Sequence, residues 1–164
     1  MGPLDNECPE VMVGRLLRQN GMTLALAESC TGGLISHRIT NVPGSSAYFL
    51  GAVVAYSYSA KESLLGVAHT TLMEHGAVSE EVARQMALGA RTVLGADVAL
   101  SVTGIAGPGG ASPNKPVGLV YVGLAAPAFQ QVQRFVWGGD RGENKSRSAE
   151  VTLEVLATYL ESLL

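Results

Sequence analysis

Three stretches of this sequence combine hydroxyls, an amine and clustered glycines in ways that suit acyl transfer or phosphate binding. They are Glu28-Ser29-Cys30-Thr31-Gly32-Gly33, the segment from Tyr56 to Lys61, and Thr103 to Gly110. In the first, a short apolar run (Met22 to Ala27) stops, two hydroxyls follow, and glycines lead into a helical pattern. Glycines let backbone N–H groups turn into a cavity, and a helix start favours negative charge. Such a place can hold a phosphate, or the oxyanion formed during acyl transfer. The same residues also fit an ordinary helix start, with Ser29 or Thr31 as its cap.

Lys61 falls in the first turns of an expected helix that follows a strand ending at Tyr56. A cation there is disfavoured by the helix dipole, and partial burial lowers its pKa further. A lysine that loses its proton near neutral pH can deprotonate a serine. The plain alternative is a solvated lysine on an amphipathic helix. In Thr103-Gly104-Ile105-Ala106-Gly107-Pro108-Gly109-Gly110, successive N–H groups can form an anion nest, and the Thr103 hydroxyl can orient an amide or a phosphate. The alternative is a flexible surface excursion. No Lys-Ser/Thr pair follows these glycines, so this is not a P-loop. Arg141, in Gly138-Gly139-Asp140-Arg141, can reach a phosphate or pair with a nearby carboxylate. His37, His69 and His75 have no metal-ligand spacing and are expected on the surface or on helix faces; no metal is expected.

These residues meet only if the chain brings several strand ends to one rim. A helix is expected to end at Asn20-Gly21, and another spans Leu34 to Thr40. Gly51 to Tyr56 and Asp97 to Val102 read as strands, each apolar and short. Helices are expected from Ser59 to Leu65, from Thr70 to His75, from Ser79 to about Leu94 with Val82, Met86, Ala90 and Val93 inward, and from Glu143 to Leu164. Val117 to Leu124 and Gln130 to Trp137 suggest a hairpin turning near Pro127. The pattern predicts an α/β fold, a three-layer α/β/α sandwich on a mixed, mostly parallel sheet. In such sheets ligands collect outside the carboxyl ends of the strands.

The bulk composition fits. The chain has 164 residues, 47% of them hydrophobic but only 5% aromatic, so its core must be aliphatic. A short flexible lead over residues 1–8 and one domain over 9–164 are expected. The net charge of -3 offers no footprint for nucleic acid. No apolar run approaches the roughly 18 residues of a membrane span, and the Met-Gly-Pro-Leu-Asp start does not look like a signal peptide. Cys8 and Cys30 read as free thiols of a reducing compartment, so a cytoplasmic location is expected.

Several ordered segments together resemble the CinA C-terminal family. They include Ala27 to Gly33, Pro43-Gly44-Ser45-Ser46, Ala55-Tyr56-Ser57 with Ala60-Lys61, Leu64 to Val67, Gly76 to Glu80, Ser101 to Pro108, Lys115 to Gly118 and Gly139-Asp140-Arg141. The resemblance implies hydrolysis of the carboxamide of nicotinamide mononucleotide to nicotinate mononucleotide and ammonia, in pyridine-nucleotide recycling. It implies Ser29 as nucleophile, Lys61 as general base and Tyr56 as an assisting hydroxyl. Glu28, Thr31, Gly32, Gly33, Ser46, Thr103, Gly104, Ala106, Gly107 and Arg141 would bind the substrate. No cofactor is implied, and a homodimer is expected. The alternative is a non-catalytic nucleotide-binding or competence- and damage-linked regulatory protein. Two departures stand out: Tyr58-Ser59 where Asn-Glu is usual, and Lys145 where an arginine is common. Some proteins of the family carry a preceding molybdopterin-binding-like domain; this sequence is expected to be the stand-alone form.

Overall fold

The structure is a computed structural model that describes residues 7–164. Most of the expected lead therefore lies outside the described residues. The elements run α1 (Pro9–Asn20), β1 (Leu24–Glu28), α2 (Leu34–Thr40), a 3-10 turn (Ser45–Ala47), β2 (Phe49–Val54), α3 (Tyr58–Leu65), α4 (His69–His75), α5 (Glu80–Leu94), β3 (Val98–Gly104), β4 (Leu119–Ala126), β5 (Phe129–Val136) and α6 (Arg141–Glu161). The strands form one sheet in the order β2-β1-β3-β4-β5. β1 pairs in parallel with both β2 and β3, whereas β4 runs antiparallel to β3 and to β5. The sheet is mixed, and its parallel half carries the three strand ends singled out above.

Strand alternation divides the core. Leu24 and Leu26 of β1, with Leu100 and Val102 of β3, pack against Leu16 and Leu17 of α1, Ile35 and Ile39 of α2, and Leu153 and Leu156 of α6. Ala25, Ala27 and Ala99 point to the other face, where Leu65, Leu72, Val82, Met86 and Ala90 of α3, α4 and α5 cover them. The residues facing α5 are small because the helix comes close: a Cβ on Gly123 would stand 2.6 Å from the Ala83 carbonyl. The Ser101 hydroxyl donates to that same carbonyl. Each fully buried leucine contributes about 1.5–3 kcal/mol, so these two layers hold the parallel strands in register.

Two boundaries near the site and the facing of one side chain differ from the sequence expectation. β3 continues through Thr103 and Gly104 because both pair with β4, opposite Tyr121 and Val120. α6 begins at Arg141 rather than at Glu143, because Asp140 caps it: the Asp140 carboxylate accepts from Glu143 N–H and the Glu143 carboxylate accepts from Asp140 N–H. Val93 is 59% exposed rather than inward. It borders a groove with Leu64 at the end of α3, beyond the reach of the sheet.

Candidate active site

Ser29 is the first residue beyond β1, and its backbone remains tied to the sheet through Ser29 N–H donating to the Val102 carbonyl. The chain then turns through Gly32 and Gly33, both at positive φ (61° and 103°), before α2 starts. Glycine is needed there, since an L side chain is strained at such angles. The turn is fixed from beneath by Glu28, which is fully buried. Its carboxylate accepts from Thr31 Oγ1, Ile35 N–H, Ser36 N–H and Ser36 Oγ. Glu28 and Thr31 thus spend their side chains on holding the turn and the start of α2.

Lys61 is the fourth residue of α3 and only 1% exposed. Its Nζ lies 3.0 Å from Ser29 Oγ, 2.8 Å from the Ala55 carbonyl oxygen and 3.4 Å from the Tyr56 carbonyl oxygen. A neutral amine has two hydrogens and one lone pair. In that form the two carbonyls can take the hydrogens and leave the lone pair for the Ser29 hydroxyl; in the protonated form all three oxygens accept from the amine. Burial pushes the Lys61 pKa below its ordinary value of 10.5, opposed only by the neighbouring Cys30 thiol. Among the described residues no carboxylate lies within ion-pair distance of Lys61 to hold its proton. Cys30 itself is a poor competitor for the nucleophile role, because burial pushes its thiol up to about 12.

Ser29 and Lys61 open into a cavity of about 160 Å³ walled by Cys30, Tyr56, Ala77, Val78, Thr103, Gly104, Ala106 and Arg141. A second cleft of about 760 Å³ adjoins it, sharing Ala106 and Arg141 and bounded by Gly107, Pro108, Val117 and Gly139 to Gly142. Arg141 stands between the two. Its guanidinium donates to the Gly107 carbonyl at 2.7 Å and to the Tyr56 phenol oxygen at 3.1 Å. Buried Asn144, one turn along α6, donates to the Ala106 carbonyl at 3.0 Å and accepts from Gly139 N–H. The first turn of α6 therefore shapes the glycine loop after β3. Thr103 lines the small cavity, but its hydroxyl donates to the Ala77 carbonyl.

The structure brings together Ser29, Lys61, Tyr56, Thr103, Gly104, Ala106, Gly107 and Arg141 around these two spaces, with Gly32 and Gly33 in the adjoining turn. Ser46 is not among them. The 3-10 turn precedes β2, and Tyr48 accepts from Leu24 N–H at the start of β1, so Ser46 sits at the amino ends of the strands, across the sheet from Ser29. Lys145 comes up beside the Ser29 turn, its Nζ 3.9 Å from where a Cβ on Gly32 would lie. His37, His69 and His75 are exposed and outside both spaces. No His/Cys/Asp/Glu group among the described residues could hold a metal ion. Sequence inspection did not assign Ala77, Val78 or Asn144 to the site. Ala77 and Val78 lie in Gly76 to Glu80, one of the matched segments, so that signal was available; Asn144 carried none.

A family model described as CinA C-terminal domain matches residues 6–160. The chain is 53% identical over 156 residues to a CinA-like protein of Citrifermentans bemidjiense, covering 95% of this chain and 38% of that protein. It thus spans well under half the length of such curated relatives. Among solved structures it is similar to a competence-damaged protein (CinA) superfamily protein from Klebsiella pneumoniae, with a TM-score of 0.91 and 31% identity over 94% of this chain and 96% of that one. It is also similar to the competence/damage inducible protein CihA from Agrobacterium tumefaciens, with a TM-score of 0.88 and 38% identity over 98% and 99% of the two chains.

Proposed function

The chain belongs to the CinA C-terminal domain family, and from that premise we propose that it is a serine–lysine amidohydrolase acting on nicotinamide mononucleotide. The observation that carries this proposal is the 3.0 Å contact between Ser29 Oγ and the buried Lys61 amine. In the proposed reaction Lys61 takes the Ser29 proton as the alkoxide attacks the carboxamide carbon. The Cys30 and Thr31 N–H groups meet no backbone or side-chain oxygen in the described chain, so they are free to steady the tetrahedral oxyanion. Ser29 N–H cannot serve, since the Val102 carbonyl already accepts it. Protonated Lys61 then returns its proton to the departing nitrogen, ammonia leaves, and an ester on Ser29 remains. Lys61, neutral again, deprotonates the water that attacks the ester and passes that proton to the departing Ser29 oxygen, which releases the acid product and restores both residues.

The small cavity suits a flat ring carrying the amide, with the Tyr56 phenol at its rim. The sugar and phosphate extend past Arg141 toward the adjoining cleft. Lys145 adds a second cation near the nucleophile turn, though a lysine grips phosphate without the paired geometry of arginine. An ammonia-release assay on nicotinamide mononucleotide, run beside calorimetric binding, tests the proposal. Turnover that is lost in Ser29→Ala and reduced about 10²- to 10⁴-fold in Lys61→Met supports it. Binding without ammonia release by the unaltered protein would favour a regulatory role instead, in keeping with the name of the competence/damage inducible protein CihA from Agrobacterium tumefaciens.

A further inference from the structure

Residues 76–79 link α4 to α5, and their backbone, with that of His75 at the end of α4, is held largely by side chains from elsewhere in the fold. The Lys115 amine, from the loop after β3, donates to the His75 carbonyl. Ser79 Oγ donates to the Gly76 carbonyl at 2.8 Å. Ala77 is gripped on both sides: its N–H donates to the Tyr58 phenol oxygen at 3.2 Å, and its carbonyl accepts from Thr103 Oγ1 at 2.8 Å. These contacts come from four places in the fold, α3, the N-cap of α5, β3 and the glycine loop. Gly76, at a φ of 74°, admits the Lys115 amine so closely that a Cβ there would lie 2.9 Å from it. The segment so fixed presents Ala77 and Val78 as a wall of the cavity that holds Ser29 and Lys61.

We propose that this strap is the specificity wall of the acyl pocket, and that Tyr58 and Lys115 are positioning residues that hold it at the width of an unsubstituted pyridine ring. The proposal rests on the amidohydrolase reading for its substrate, but the strap's geometry can be tested without turnover. Tyr58 touches no reacting atom; it acts through Ala77. Freed of one tether, the wall moves outward. A bare pyridine amide is then gripped less well, and a ring with an added methyl group fits better.

The test compares the unaltered protein with Tyr58→Phe, which removes the hydroxyl and keeps the ring, and with Lys115→Met. For Tyr58→Phe, KM for nicotinamide mononucleotide is expected to rise about 5- to 10-fold with kcat changed less, as loss of one hydrogen bond predicts. The ratio of kcat/KM between that substrate and a ring-methylated analogue should fall by a similar factor. This ratio is insensitive to the fraction of folded protein. Hydrogen exchange at Ala77 N–H should speed up in both variants while the sheet amides keep their protection. Turnover by the unaltered protein, with ratio and exchange unchanged in both variants, overturns the strap. Turnover with faster exchange at Ala77 but an unchanged ratio also overturns it, since the strap is then tethered without setting specificity; faster exchange in a protein that hydrolyses no amide leaves Tyr58 and Lys115 as tethers of the segment but removes both the amidohydrolase reading and the specificity role.

Discussion

At the scale of single residues, the site depends on an amine that must be neutral to work. Burial lowers the Lys61 pKa, and its amine contacts two carbonyls and the serine hydroxyl. Ammonia release should therefore rise with pH through a midpoint below 10.5, and this limb should be missing from the residual activity of Lys61→Met. The same shift affects stability. Between the lowered value and 10.5 the unfolded chain keeps a proton that the folded chain has shed, so the contribution of this group to stability increases with pH across that window. Thermal melts over that range should show a smaller upward slope for Lys61→Met. Ser29 and Lys61 were legible in the sequence because each follows a strand and sits at a helix start. The carbonyls of Ala55 and Tyr56 were not legible, since every residue has one and only the fold decides which of them face an amine. Ser46 was drawn in by its motif, but a motif carries no information about which end of the sheet it occupies.

At the scale of elements, two helices set the proposed nucleophile and base. Glu28 fixes α2 and the Ser29 turn through four accepted hydrogen bonds. Glu28→Gln replaces one of the two accepting oxygens by an NH2, so either Ile35 N–H or Ser36 N–H faces amide hydrogens instead of an acceptor, and a loss of about 1–3 kcal/mol is expected. Urea melts measure that loss, and kcat should fall with it because Ser29 is the next residue. α3, which carries Lys61, lies against α5 at Gly89, where a Cβ would stand 1.9 Å from the Leu65 carbonyl. Gly89→Ala must push the helices apart, at about 1–3 kcal/mol. A lowered Tm together with reduced ammonia release checks this, and an unchanged Tm would show that the helices do not need the close approach. Most helix spans were legible because caps and apolar periodicity are local. The true ends of β3 and the start of α6 were harder to place. The first depends on pairing with β4, and the second on a cap whose two partners, Asp140 and Glu143, straddle the expected boundary.

At the scale of the whole molecule, β1, β2 and β3 point the same way, so the segments after each of them reach one rim. The antiparallel β4–β5 hairpin extends the sheet away from the reacting pair, and the chain returns from it to place α6 and Arg141 beside the rim. The net charge of -3 gives an anionic substrate no general attraction, so under the proposed function Arg141 and Lys145 supply it locally. No described helix is long and apolar enough to cross a membrane. The expected pairing of two copies is open to sedimentation velocity, where a species near twice 17.0 kDa meets it and a monomer at working concentration removes it. The central claim is that Ser29 forms a covalent ester during amide hydrolysis. Rapid acid quench of protein turning over nicotinamide mononucleotide, followed by peptide mass spectrometry, tests it most directly. The account predicts a peptide containing Ser29 heavier by the substrate less ammonia, with no such adduct and no ammonia from Ser29→Ala. Ammonia release that persists in Ser29→Ala, with no adduct on any peptide of the unaltered protein, would contradict it.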